Sequence, residues 1–154
     1  CHSGECAVKE LAPISMHRLF REGPLLVFEQ HTFFSLTDAQ AATAIYSQVI
    51  AEEGYLLLLI DFRLGGAADA DVRRHLAHWG KENAAHFCIA AVGGNFVLRT
   101  TLTLILTAAR MLGGRALSVQ FFGAMDAAHT WLAEQRALLA AQTAPAPKVA
   151  PSNP

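Results

Sequence analysis

Residues 55–61 read Tyr-Leu-Leu-Leu-Leu-Ile-Asp, and this run decides the fold class. Alternate side chains of a β-strand point to opposite faces of its sheet, so an unbroken run of large apolar residues leaves no face suited to water. Such a strand is typical of the centre of an α/β sheet with helices on both faces. Gly54 precedes the run, and residues 64–68 follow it as a loop at its C-terminal end, where open α/β sheets place their working surface.

Strand and helix signals alternate on either side of this central strand. Gly23-Pro24 is a turn signal between two segments of strand composition, 14–22 and 25–28, which predicts an antiparallel pair. Residues 37–40 read Thr-Asp-Ala-Gln and fit a helix-start capping box, so we expect a helix from there to about Glu53. The later predicted elements are a helix from Asp69 or Asp71, a strand at 87–92, a helix at 96–112, a strand at 117–122 and a helix at 125–140. The order β-β-α-β-α-β-α-β-α predicts an α/β fold with a mixed, mainly parallel sheet flanked by about four helices.

The length of 154 residues predicts a single domain. Residues 1–13 lack periodicity and are expected to be a disordered lead-in, residues 14–140 form the domain, and the Ala/Pro-rich residues 141–154 are expected to be a disordered tail. The chain is 53% hydrophobic and only 16% charged, which indicates a large buried fraction, an apolar partner surface, or both.

Charge and hydropathy exclude several classes of protein. A net charge of -1 gives no basic footprint for nucleic acid. No apolar run is long enough to span a bilayer and the N-terminus shows no signal-peptide pattern, so a cytoplasmic location is expected. Three cysteines are an odd number and predict no disulfide framework.

No pattern in the chain predicts catalysis or a cofactor. The Gly93-Gly94-Asn95 turn lacks the lysine, hydroxyl and spacing of a phosphate-binding loop. His75 and His78 lie three apart on a predicted helix without a clear third metal ligand. Asp61 is predicted to accept N–H groups from the Gly65-Gly66 loop and so to fix the shape of that loop.

The order of elements and three stretches resemble the STAS domain, the fold of the SpoIIAA anti-sigma factor antagonists, over about residues 14–140. These stretches are 57–61, 91–99, and 121–122 followed by 127–132. The resemblance implies a non-enzymatic regulatory module that binds a protein partner. In phosphorylated members of the family a serine or threonine starts the helix after the central strand, whereas residues 65–70 here read Gly-Gly-Ala-Ala-Asp-Ala. Partner binding without that phosphorylation switch is therefore implied.

The resemblance places partner binding on the loop after the central strand and on a neighbouring helix face. The residues expected there are Asp61, Leu64, Gly65, Gly66, Ala67, Asp69 and Leu104. The apolar arc of the 96–112 helix is wider than a surface helix needs, so the alternative function is binding of a lipid or another apolar ligand. A homodimer through the same arc is also consistent with this pattern.

Overall fold

The structure is a computed structural model that describes residues 8–65, 68–83, 87–111 and 118–143. Its elements are β1 (Lys9–Glu10), β2 (Arg18–Glu22), β3 (Leu25–Glu29), α1 (Leu36–Glu53), β4 (Leu56–Asp61), α2 (Ala70–Asn83), β5 (Phe87–Val92), α3 (Phe96–Met111), β6 (Ser118–Phe122) and α4 (Met125–Thr143). From β2 onward this is the predicted order, so the α/β prediction is confirmed.

The strands form one sheet in the order β1-β2-β3-β4-β5-β6. The first three strands pair antiparallel, and β3 to β6 pair parallel. In the central strand Leu58 lies in register with Leu26 of β3 and Ile89 of β5. The run that decided the fold class is therefore an interior strand, as predicted.

Both faces of β4 are buried under helices. Leu56 and Leu58 belong to a cluster that includes Val72 of α2, whereas Leu57 and Leu59 pack with Leu132 of α4. The four leucines of β4 are at most 3% exposed. Alternation along a single strand therefore supplies two separate layers of the core.

The third helix reaches the sheet on the side of α2. Among the α3 side chains that the structure describes, Leu102 is the one buried there, in a small cluster with Phe62 and Ala91. Ala91 is two residues from Ile89 and so shares its face of the sheet. Helices α1, α2 and α3 thus lie on one face and α4 on the other. Within the described residues, no helix is long and apolar enough to cross a bilayer.

The N-terminal strands differ from the sequence-based expectation. Lys9–Glu10 pair with β2, although the sequence predicted no regular structure before residue 14. The strand predicted at 14–22 is confined to Arg18–Glu22, because Ile14 and His17 pair across a tight turn in which Ser15 has φ +54°. Periodicity cannot identify a two-residue strand. Residues 1–7 and 144–154 lie outside the described part of the chain.

The predicted capping box at 37–40 is wrong by two residues. Ser35 is the N-cap of α1: its Oγ accepts the N–H of Asp38 at 3.1 Å, and Asp38 Oδ2 accepts the N–H of Ser35 at 3.2 Å. Asp38 Oδ1 also accepts a hydrogen bond from the Ser15 hydroxyl at 2.6 Å. This contact with a distant turn favours the Ser35 box over the local alternative at Thr37.

Candidate functional site

The connections that follow the parallel strands meet at one edge of the sheet, which we call the carboxyl edge (residues 30–34, 62–65, 93–97 and 123–124). Backbone hydrogen bonds join these connections to their neighbours in strand order. They run from Gln30 N to Asp61 O (3.0 Å), from Phe62 N to Val92 O (2.9 Å) and from Gly93 N to Phe122 O (3.3 Å). The carboxyl edge is therefore one continuous surface.

Asp61 and Arg63 form a polar pair at this edge that is joined by three hydrogen bonds. Asp61 Oδ1 accepts the backbone N–H of Arg63 at 3.0 Å and its Nε–H at 2.9 Å, and Oδ2 accepts Nη2–H at 2.8 Å. These hydrogen bonds hold the pKa of Asp61 below its ordinary value, although burial opposes the shift. Both carboxylate oxygens are engaged, so Asp61 has a structural role. The sequence predicted that role but assigned the donors to the Gly65-Gly66 loop instead of Arg63.

Two glycines let the β4–α2 connection fit between its neighbours. A Cβ atom at Gly65 would lie 2.9 Å from the carbonyl carbon and oxygen of His31. Gly93 has φ +77°, and a Cβ atom there would lie 2.8 Å from Cγ of Arg63. Only a residue without a side chain fits such an approach. The 62–65 segment is therefore held from both sides.

Large apolar side chains are exposed on three successive connections of the carboxyl edge. Phe33 follows β3, Leu64 follows β4 and Phe96 begins α3, and they are 51%, 68% and 82% exposed. Exposed large apolar side chains on neighbouring connections are candidates for an interaction surface. The sequence predicted Leu64 at this surface but not Phe33, which belongs to no periodic segment.

The structure places the predicted partner-binding residues at three positions in the fold. Asp61, Leu64 and Gly65 lie at the carboxyl edge, whereas Asp69 caps α2 by accepting the Val72 N–H at 3.0 Å. Leu104 lies on the third turn of α3. The predicted residues 66 and 67 lie outside the described part of the chain.

Leu104 lines a groove between α2 and α3 with a volume of about 280 Å³. The lining residues are Ala70, Arg73, Arg74, Ala77, Leu104 and Ala108. Arg74 is paired with Asp71, and Arg73 forms no ion pair within the described ranges. The groove is therefore lined largely by alanine side chains, and Arg73, which is not in an ion pair among the described residues, lies beside them.

A second polar cluster lies beneath the N-terminal turn. His17 is fully buried, and its Nδ1 accepts the backbone N–H of His31 at 3.2 Å, so its proton is on Nε2. Nε2 is 3.4 Å from Asp38 Oδ2 but lacks hydrogen-bond geometry. Burial raises the pKa of Asp38, and the hydrogen bonds from Ser15 and Ser35 outweigh it and hold the pKa below its ordinary value.

This cluster does not have the geometry of a nucleophilic site. The Ser15 hydroxyl donates to Asp38, and the imidazole of His17 faces the other oxygen of the same carboxylate. A serine nucleophile needs a base that takes its proton, and here the serine and the histidine both point to the acid. The cluster therefore ties the turn to the start of α1.

The histidine pair on α2 has two separate sets of contacts. His75 Nε2 lies 2.9 Å from the hydroxyl of Thr43, while His78 lies 3.3 Å from Glu82. Among the residues whose placement is described, no three His, Cys, Asp or Glu side chains group as metal ligands would. The two histidines have separate local partners.

Comparison with known proteins identifies the fold. No protein-family model matches the chain, and no curated protein matches it. A solved structure from the DUF3478 family of Shewanella loihica PV-4, described as an uncharacterized protein with a SpoIIAA-like fold, has 16% identity and a TM-score of 0.52, over 82% of this chain and 92% of that one. The unphosphorylated form of the anti-sigma factor antagonist SpoIIAA has 9% identity and a TM-score of 0.52, over 84% and 98%. The chain has the SpoIIAA-like fold, and the resemblance seen in the sequence is confirmed at that level.

Proposed function

We propose that this chain is a non-enzymatic regulatory module, a STAS-like domain over residues 14–140, that binds a protein partner through its carboxyl edge. The observation that carries the proposal is the set of exposed apolar side chains on three bonded connections, Phe33, Leu64 and Phe96. The fold shared with the anti-sigma factor antagonist SpoIIAA supports the same class.

The polar groups of the carboxyl edge are better suited to binding a partner than to catalysing a reaction. Asp61 has both oxygens occupied by Arg63, so it is a poor proton acceptor for a substrate. The Arg63 side chain remains 56% exposed and can also donate to a partner. Apolar anchors beside a fixed charged pair are typical of protein interfaces, in which a few buried anchors contribute most of the affinity.

The loop sequence sets how such binding is regulated. Residues 61–71 contain no serine or threonine, so no hydroxyl in this loop can accept a phosphate. We infer that the edge binds its partner without the phosphorylation switch of the family. The affinity for the partner then depends on how well the two surfaces fit each other, and not on a phosphate group.

The test compares partners captured by the wild-type chain and by two matched variants. Leu64→Glu places a charge in the centre of the carboxyl edge, whereas Leu138→Glu alters a leucine of α4 that is 57% exposed. We expect mass spectrometry of proteins captured from cells that express the chain to show a partner lost with Leu64→Glu and kept with Leu138→Glu. The same captured proteins for both variants would contradict the proposal.

A second candidate function is binding of an apolar ligand in the α2–α3 groove. The groove volume of about 280 Å³ approaches that of small-molecule sites, and Arg73 offers a charge for an acidic head group. Ala108→Phe would fill the groove. Native mass spectrometry should then show a co-purifying ligand with the wild type and none with the variant, and identical spectra would exclude this candidate.

A further inference from the structure

The connection from β3 to α1 brings Phe33 to the carboxyl edge. We call residues 30–34 the Phe33 connection. Its first residue donates a backbone hydrogen bond to Asp61 O at 3.0 Å, and its last residue pairs with Ala68 in an isolated parallel bridge. The two ends of the connection are therefore held by β4 and by the segment before α2.

A buried imidazole holds the middle of the Phe33 connection. The backbone N–H of His31 donates to Nδ1 of His17 at 3.2 Å, and His17 is fully buried. The ring of Phe28, which precedes the connection, has its centroid 5.4 Å from that of the imidazole, and the ring of Phe34 has its centroid 5.6 Å away. The imidazole therefore packs against both ends of the connection and accepts a hydrogen bond from its backbone.

The backbone of His31 also contacts the next connection of the carboxyl edge. A Cβ atom at Gly65 would lie 2.9 Å from the carbonyl carbon and oxygen of His31. Gly65 belongs to the connection that carries Leu64, and His31 to the one that carries Phe33. A displacement of the His31 backbone therefore affects two of the three apolar side chains exposed at this edge.

The hydrogen bond between His31 and His17 exists only while Nδ1 of His17 is unprotonated. A neutral imidazole has one acceptor nitrogen, and an imidazolium has two donors and no acceptor. With a proton on Nδ1, two N–H groups would face each other and the hydrogen bond would be lost. Histidine is the side chain whose charge ordinarily changes between about pH 5 and pH 8.

The second nitrogen of His17 faces a carboxylate. Nε2 lies 3.4 Å from Asp38 Oδ2, and within the part of the chain that the structure describes it makes no hydrogen bond. A buried cation needs a countercharge, and Asp38 supplies one. A proton on the imidazole therefore strengthens the contact with Asp38 and breaks the contact with His31.

We propose that His17 is a positioning residue for the carboxyl edge, and that a proton taken up from solvent at its Nδ1 releases the Phe33 connection. The proposal rests on the function given above for this edge and adds that partner binding there depends on pH. With the ring protonated, the N–H of His31 loses its acceptor and Phe33 loses its fixed position. Affinity for the partner is therefore highest with the neutral imidazole and falls as the ring takes up its proton.

Other ionisable groups on the elements around His17 also respond to pH. Besides Asp38 they are the imidazole of His31, which lies 3.2 Å from Glu29 Oε2, and the guanidinium of Arg18, which lies 3.9 Å from the same oxygen. His31→Gln removes the second imidazole and keeps the backbone N–H that His17 accepts. The His31→Gln chain is therefore the background in which the ring of His17 is titrated.

The first test is a pH titration of the full chain by nuclear magnetic resonance. The ring nitrogen shifts of His17 report its protonation, and the backbone amide shift of residue 31 reports the hydrogen bond. We expect both to change with the same midpoint in the His31→Gln chain, whereas the amide of Ala90 in the interior strand β5 should not follow them. An imidazole that stays neutral down to the pH of unfolding overturns the proposal, and so does an amide at residue 31 that ignores the ring titration.

Two variants separate the acceptor from the volume that it fills. In His17→Asn the amide oxygen can replace Nδ1 but takes up no proton, whereas His17→Leu fills the space without an acceptor. We expect the amide hydrogen of residue 31 to exchange roughly tenfold faster in His17→Leu, the factor that corresponds to one ordinary hydrogen bond. It should exchange at about the wild-type rate in His17→Asn. Equal rates in all three chains overturn the proposal, and if His17→Leu does not fold, His17→Asn and the titration still decide it.

The effect on binding is measured with the partner that Leu64→Glu fails to capture. In the His31→Gln chain its affinity should fall as the pH is lowered through the His17 titration, and addition of His17→Asn should abolish this dependence. The same pH profile with and without His17→Asn would overturn the regulatory role. If Leu64→Glu loses no partner, the function of the carboxyl edge fails, while the resonance experiments still decide whether a proton on His17 releases the Phe33 connection.

Discussion

Gly93 lies so close to Arg63 that a Cβ atom on the glycine would be 2.8 Å from the arginine Cγ. The same arginine is bound through its guanidinium to Asp61 at the end of the central strand. The turn before α3 therefore confines the side chain that fixes the loop after β4. The contact between Gly93 and Arg63 therefore sets the shape of two connections, the one after β4 and the one before α3.

We expect Gly93→Ala to destabilise the fold by about 1–3 kcal/mol, the usual cost of a non-glycine residue forced into a strained backbone conformation. The cause is the combination of φ +77° and the approach to Arg63. Denaturant unfolding measures the change. Gly123→Ala is the control, because a Cβ atom there would meet nothing within 4 Å. Equal stabilities for the two variants would show that the contact is not tight.

Leu58→Ala and Leu59→Ala should each destabilise the protein by about 2–5 kcal/mol, the range for truncation of a buried leucine. The two side chains are at most 3% exposed and lie in different core clusters. Leu138→Ala, at an exposed position, should change stability by no more than about 0.5 kcal/mol. If only one strand variant is destabilised in denaturant melts, the other face of β4 is not packed as described.

Acid should destabilise the wild type through Asp38. Its pKa is held below the ordinary value of 3.8, so the folded state binds fewer protons than the unfolded state. This contribution is complete above the unfolded pKa and is lost as the pH falls through the lower folded pKa. Asp38→Asn should be less stable at neutral pH and should lose less stability on acidification. Unfolding free energies from about pH 6 to pH 2 test this.

The exposed Asp126 provides the control for that experiment. Asp126→Asn removes an exposed carboxylate of α4 and so controls for the loss of one surface charge. An Asp38→Asn profile parallel to that of the wild type would mean that Asp38 does not couple folding to protons.

Cys88 should be unreactive in the folded protein. It is 1% exposed, and burial raises the pKa of its thiol to about 12, so the reactive thiolate is scarce at neutral pH. In a chain with Cys1→Ser and Cys6→Ser, a thiol reagent at pH 8 should label nothing under native conditions and one group in denaturant. Rapid native labelling would show that β5 opens readily.

The sequence determined the order of elements because those signals are local. A run of apolar residues from Leu56 to Ile60 can be buried only on both faces, and helical spacing at residues 125–140 identifies α4 without knowledge of its partners. The resemblance to the STAS domain rested on the same order, which is why the comparison of structures agrees with it.

The tertiary structure decided which residues meet. Ser35 replaced Thr37 as the cap of α1 because Asp38 is held by Ser15, 23 positions away. Periodicity gave no sign that Phe33 would lie on the same edge as Leu64, since that follows only from the parallel pairing of β3 and β4.

The sequence showed that the apolar arc on α3 is wide, but it did not show which of the apolar residues are buried and which are exposed. Leu102 is buried against the sheet and Leu104 lines the exposed α2–α3 groove, because the position of α3 on the sheet fixes the rotation of the helix. Local patterns therefore set the elements of this protein. Tertiary packing determined which side chains remain exposed and available to a partner.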